Sequence, residues 1–133
     1  MVYITAYMSA LIAFLAIDYV WLAFIARDFY RGHLGEMMLE SPKLGIAAVF
    51  YLVYVVAVVV FAVLPAMEKQ QWITAALYGG LLGLVAYGTY DITNLATLKN
   101  WPATVSIVDL IWGTVLTASI ATISYLVTST LHG

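Results

Sequence analysis

Residues 72–98 read WITAALYGGLLGLVAYGTYDITNLATL, a stretch with one acidic side chain, Asp91, and no basic one. A run of about 20 predominantly apolar residues is long enough to cross the hydrocarbon of a bilayer as a helix. Comparable runs stand on both sides of it, which places four spans at Tyr3–Ala26, Leu44–Leu64, Trp72–Leu98 and Ala103–Thr128. The whole chain agrees with that reading. It is 65% hydrophobic and 9% charged, with a mean hydropathy of +1.01, whereas a soluble domain carries about 25% charged residues. Too little polar surface exists to solvate a globule. The sequence therefore predicts an all-α integral membrane four-helix bundle, a single transmembrane domain over residues 1–133.

Local signals mark the ends of the spans. Pro42 and Pro102 stand just before the second and fourth, where a proline pre-sets the start of a helix, and Pro65 is expected to close the second. Trp72, Trp101, Tyr3 and Tyr125 fall near span ends, as interfacial aromatics do. The first run lacks the basic leader of a signal peptide and meets Arg27 rather than a small-residue cleavage site, so it reads as a retained helix. All five basic residues lie in loops. Arg27, Arg31 and Lys43 are in the first loop and Lys99 in the third, against Lys69 alone in the second. The excess puts the first and third loops in the cytoplasm and both termini outside. The first loop, Arg27–Lys43, alternates Phe29, Tyr30, Leu34, Met37, Met38 and Leu39 with Arg31, Glu36 and Glu40, the pattern of a short helix lying at the interface.

Several chemistries are excluded. A net charge of −2 with five basic residues gives no patch to neutralise phosphates, so no nucleic-acid partner is expected. There are no cysteines, hence no disulfide and no thiolate metal site. His33 and His132 both lie outside the apolar runs, which rules out a bis-histidine haem within the bilayer.

What remains is acidic. Asp18, Asp91 and Asp109 each sit inside an apolar span without a lysine or arginine. An ionisable residue there is costly and points to function by default. At about 1.5 Å per helical residue, the three lie roughly 13, 12 and 10 Å from the loops at Arg27, Lys99 and Pro102. They share one depth. Helical spacing continues each acid into a stripe: Gly80, Gly83, Tyr87 and Asn94 around Asp91; Ser106, Gly113, Thr117 and Ser124 around Asp109; Tyr7, Leu11 and Trp21 around Asp18. Gly79 and Gly83 form a GxxxG, a close helix-packing pattern. The second span has Tyr51 and Tyr54 as its main polar atoms and reads as largely lipid-facing or structural. Three carboxylates with no cation among them cannot all be ionised cheaply, so some carry protons or a bound cation neutralises them. Asn94, Thr93, Tyr87, Tyr90, Ser106 and the indoles of Trp21 and Trp112 are the nearby donors. Asp18-x-x-Trp21 and Asp109-x-x-Trp112 run in opposite directions, which places Trp21 nearer the headgroups and Trp112 nearer the core. The plainer reading of any one aspartate is interhelical glue, worth about 0.6 kcal/mol per hydrogen bond.

Asp18–Ala23 and Asp91–Ala96 align without gaps as D-x-x-x-L-A, which suggests two helical hairpins related by a pseudo-twofold along the membrane normal. The run from Tyr90 to Pro102, YDITNLATLKNWP, together with Asp18-x-x-Trp21 and Asp109-x-x-Trp112-Gly113, resembles a bacterial family of small membrane proteins, domain of unknown function 2177. The likeness extends over essentially the whole chain. It implies a four-helix protein of the bacterial cytoplasmic membrane whose signature residues are those singled out here, and it implies no activity.

Three functions fit these residues. The first is proton- or cation-linked binding or transport of a small solute, with Asp91 as the central exchanger, Asp18, Asp109 and Asn94 beside it, and a homodimer preferred because four helices make a thin bundle. The second is a lipid-modifying enzyme. Asp18, Asp91 and Asp109 would hold a divalent cation through oxygen, while Arg27, Arg31 and Lys99 hold a headgroup phosphate. The third is a non-catalytic binder of lipid or an aromatic molecule, walled by Trp21, Trp112, Tyr87 and Tyr90.

Overall fold

The computed structural model describes residues 1–38 and 43–133. Among them four helices are long and apolar enough to cross a membrane: Val2–Ile25, Leu44–Lys69, Trp72–Thr97 and Ala103–His132. An interfacial helix, Arg27–Leu34, follows the first span and passes into a 3₁₀ turn at Gly35–Met37. Leu39, Glu40 and Pro42, which the sequence assigned to the first loop's apolar pattern and to the start of the second span, lie outside the described residues. Neighbouring spans run antiparallel, so the first and third loops share one face. Arg27, Arg31, Lys43 and Lys99 make it the basic face.

Two spans are interrupted by wide, π-helical turns. The second span does not end at Pro65, as the sequence suggested, but continues to Lys69. The π turn at Val59–Val63 explains how. Proline lacks an N–H and its ring crowds the carbonyl four residues back, here Phe61. A wider turn just before it gives the ring room without breaking the helix. The second π turn, Trp21–Ile25, closes the first span directly after Asp18, with Ala26 N–H bonded to the Trp21 carbonyl at 2.7 Å. Single π turns of this kind concentrate at functional sites.

The fourth span is the hub, packed along the third and against the first. Glycine permits the closest approach. A Cβ at Gly79 would stand 2.8 Å from the Ala121 Cβ, one at Gly83 would strike the Gly113 backbone, and one at Gly113 would strike the Tyr87 ring. Hydrogen bonds tie the hub to its neighbours: Ser124 Oγ donates to the Ala6 carbonyl at 2.7 Å, and the hydroxyls of Tyr54 and Thr117 pair at 2.7 Å. The second span is less lipid-facing than its composition implied. Val55, Val58, Val59, Ala62, Val63 and Ala66 form a buried seam, while Val49, Phe50 and Val53 face outward. That seam lies mainly in the half away from the basic face. There Val59–Lys69 meets the third span, whereas Leu44–Val58 packs mainly against the first. The second and third spans thus part toward the basic face. Large outward side chains such as Leu15, Leu81 and Ile111 are at least half exposed, an arrangement that hydrocarbon solvates and water does not.

Candidate functional site

The apolar face of the interfacial helix is the part of the site furthest from the membrane centre. Its Tyr30 turns inward and donates a hydrogen bond to Asp109 Oδ1. Trp21 Nε1–H in turn donates to the Tyr30 hydroxyl at 3.3 Å. Burial, and then that bond to Asp109, hold the Tyr30 phenol above the ordinary tyrosine range. Leu34 and Met38 continue this cover over the mouth of the site.

Beneath the cover lies a cavity of about 390 Å³, lined by Asp18 and Asp109 with Tyr51, Tyr87 and Tyr90 opposite. Trp112 Nε1–H donates to Asp18 Oδ1 at 3.3 Å. The indoles of Trp21 and Trp112 stack against each other, centroids 4.2 Å apart and planes 8° from parallel. This corrects the expectation that the two tryptophans occupy different depths. Their Cα atoms do differ by about 6 Å when depth is counted from the loops at 1.5 Å per residue. Helical side chains, however, lean toward the N-terminus of their own helix. Trp21 therefore leans away from the basic face and Trp112 toward it, and the rings meet halfway.

Asp91 completes the acidic set from the third span. It is wholly buried, and neither carboxyl oxygen has a hydrogen-bond partner among the described residues. Ser106, one turn before Asp109 on the fourth span, bonds the Asp91 backbone, so the three acids share one neighbourhood, with Asp18 and Asp109 lining the cavity and Asp91 outside its lining. Among the described residues no lysine, arginine or histidine lines the cavity, and no group of three or more His, Cys, Asp or Glu is arranged to hold a metal ion. Nothing in this geometry supports the divalent cation that the sequence allowed.

The remaining assignments divide. Tyr87, Tyr90, Trp21 and Trp112 line the cavity. Ser106 is buried, but its hydroxyl donates to the Asp91 backbone carbonyl at 2.9 Å and accepts from Trp101 Nε1–H at 3.0 Å. It fastens the third span to the fourth instead of serving a ligand. Thr93 faces outward, because two residues beyond Asp91 is more than half a turn round the helix. Asn94 is half-buried beside Tyr90 and outside the cavity lining. Arg27, Arg31 and Lys99 are exposed on the basic face and do not line the cavity. Two further residues line the cavity, Tyr30 and Tyr51. The sequence places Tyr30 in an amphipathic loop and Tyr51 on a mostly apolar helix, and neither carries a local signal of where it ends.

Comparison with known proteins gives the family and no more. Residues 3–126 match the model of a family described as predicted membrane protein DUF2177, and the chain belongs to that family. No curated protein and no solved structure matches it.

Proposed function

We propose that this DUF2177 protein is a proton-linked membrane binding or transport protein whose acidic chamber exchanges a proton for a small cationic solute. The observation that carries the reading is Asp91, buried completely beyond the cavity's lining residues, with both carboxyl oxygens unpartnered among the described residues. An ionised carboxylate in that position, beside a second acid and with no cation, would leave a buried charge uncompensated, which costs several kcal/mol. The neutral acid is the resting form that avoids the cost. A cation entering the chamber supplies the missing charge, and the acid then gives up its proton: R–COOH + S⁺ → R–COO⁻·S⁺ + H⁺. No bond other than O–H breaks.

Tyr30, hydrogen-bonded to Asp109 and reached by Trp21, is the group through which that proton meets the basic face. The interfacial helix acts as its gate. With Arg27, Arg31, Lys43 and Lys99 on that face, the positive-inside tendency turns it to the cytoplasm and both termini outward. A homodimer would supply the further surface that a rocking carrier needs. Lipid modification receives no comparable support, since the basic residues that would hold a phosphate stand outside the cavity.

Infrared spectroscopy of protein in lipid tests the proposal. A carbonyl band of a protonated carboxylic acid is expected at neutral pH, and Asp91→Asn removes it. Absence of the band, or a band untouched by that substitution, refutes the reading.

A further inference from the structure

Next to the acidic cavity lies a second compartment of about 360 Å³ that no acid lines among the described residues. Phe14 comes from the first span, Phe50, Tyr51 and Tyr54 from the second, and Tyr87 and Tyr90 from the third. Tyr51, Tyr87 and Tyr90 line both spaces, so the two are contiguous. The compartment sits where the second and third spans part. Phe50, 62% exposed, and Tyr90, 56% exposed, stand at its rim toward the lipid. Phe14 is fixed at its back by Tyr51 and Tyr54, with ring centroids at 5.0 and 5.9 Å.

The other approach is less favourable to a cation. From the basic face the chamber is covered by Tyr30, Leu34 and Met38, and Arg27, Arg31 and Lys99 are exposed on that side. Like charges there raise the cost of bringing a cation in from water. From the side, a ligand crosses only hydrocarbon and aromatic rings, whose faces attract cations most strongly where water is excluded. The inner end is acidic: Asp18 from the first span and Asp109 from the fourth line it together with the phenols of Tyr30, Tyr51, Tyr87 and Tyr90, while Asp91 of the third span is wholly buried outside that lining. No basic group lines either space among the described residues. Each compartment falls within the size of small-molecule sites, roughly 300–1,000 Å³.

We infer that the ligand is a lipophilic organic cation, which enters sideways from the bilayer between the second and third spans, lays its apolar body among Phe14, Phe50, Tyr54 and Tyr87, and presents its charge to Asp18 and Asp109. A small hydrophilic cation has no use for the aromatic compartment. A neutral apolar molecule has no use for the acids. The inference rests on the proton-linked reading above and adds the class of substrate and its route.

The test uses the full chain in nanodiscs, with empty nanodiscs subtracted for partitioning into lipid. Equilibrium dialysis measures binding of tetraphenylphosphonium, of tetramethylammonium and of neutral triphenylphosphine oxide across a range of pH. Tetraphenylphosphonium is expected to bind in competition with protons, and to bind more tightly than either comparator. Phe50→Ala, at a lipid-exposed position that leaves the buried seam intact, is expected to weaken it roughly two- to tenfold. The near-ultraviolet circular dichroism of the stacked Trp21–Trp112 pair reports that this variant is folded. Proton-competitive binding of tetramethylammonium alone overturns the lipophilic class while leaving the proton-linked function standing. Equal binding of the neutral phosphine oxide overturns the role of charge. Tetraphenylphosphonium binding unchanged in Phe50→Ala overturns the placement of the ligand in the aromatic compartment, and the lateral route with it. Failure of every cation to compete with protons removes both readings.

Discussion

Asp91→Ala separates a functional acid from a structural one. In the folded protein the Asp91 carboxyl is buried without a partner, and an unsatisfied buried polar group costs roughly 1–3 kcal/mol. Truncation removes that cost and leaves a void somewhat larger than a methyl group, which costs about 1–2 kcal/mol. The balance lies between about 1 kcal/mol of loss and about 2 kcal/mol of gain. The same truncation at the other two acids has no gain to set against the void. Asp18→Ala strands the indole N–H of Trp112, and Asp109→Ala strands the hydroxyl of Tyr30. Each loses a membrane hydrogen bond, about 0.6 kcal/mol on average and at most about 1.7, and leaves a donor unpaired. Unfolding in mixed micelles titrated with a denaturing detergent, run on all four proteins side by side, should therefore place Asp91→Ala between about 1 kcal/mol below wild type and about 2 kcal/mol above it, and the other two below Asp91→Ala. The infrared band of the protonated acid should disappear in the same Asp91→Ala protein. Were Asp91→Ala the least stable of the three, the carboxyl would be interhelical glue, and the case for a proton-exchanging site would fall with it.

Three further outcomes follow from other parts of the molecule. Gly83→Ala and Gly113→Ala drive a methyl into the Gly113 backbone and the Tyr87 ring respectively, and should each lose about 1–3 kcal/mol by overpacking. Gly80→Ala meets nothing closer than 3.7 Å and should be neutral in the same detergent titration. Tyr30 is held above the ordinary tyrosine value, by burial first and by Asp109 second. A proton bound more tightly in the folded state gives stability that is complete below the unfolded tyrosine pKa of about 10 and is lost as pH rises beyond it. The alkaline loss of thermal stability should accordingly be shallower in Tyr30→Phe than in wild type, the other tyrosines being common to both. Mg²⁺ or Mn²⁺ should leave the thermal midpoint unchanged, because no acidic group among the described residues has metal-holding geometry; a metal-dependent rise would return the lipid-modifying reading to consideration.

The spans and the acids were legible in the sequence because the bilayer makes a charge in an apolar run conspicuous, and because a helix of fixed rise converts residue counts into depth. The partners of the acids were less so. A 3.6-residue period gives the direction of a Cα but not the lean of a long side chain, so Trp21 and Trp112 were set apart when they touch. It also says nothing of a loop helix that folds back, which concealed Tyr30. Thr93 was drawn in by proximity along the chain, although the helix turns it away. Pro65 marks an end in water-soluble helices more reliably than here, where a preceding π turn absorbs its ring.

One distinction was nevertheless written in the motifs. Asp18 and Asp109 each head a D-x-x-W, whereas Asp91 heads D-x-x-N. The structure gives that difference a physical meaning. The tryptophan of each D-x-x-W serves the acid of the opposite span: Trp112 bonds to Asp18 directly, and Trp21 reaches Asp109 through Tyr30. The stacked indoles lock this exchange, so two of the acids are held by donors that can stabilise a negative charge. The third span contributes no indole to the cavity, its Trp72 standing at the opposite end, and Asn94 does not take that place. A charge on Asp91 has no donor to answer it among the described residues, which is why the acid with the fewest bonds is the one for which the exchange is proposed.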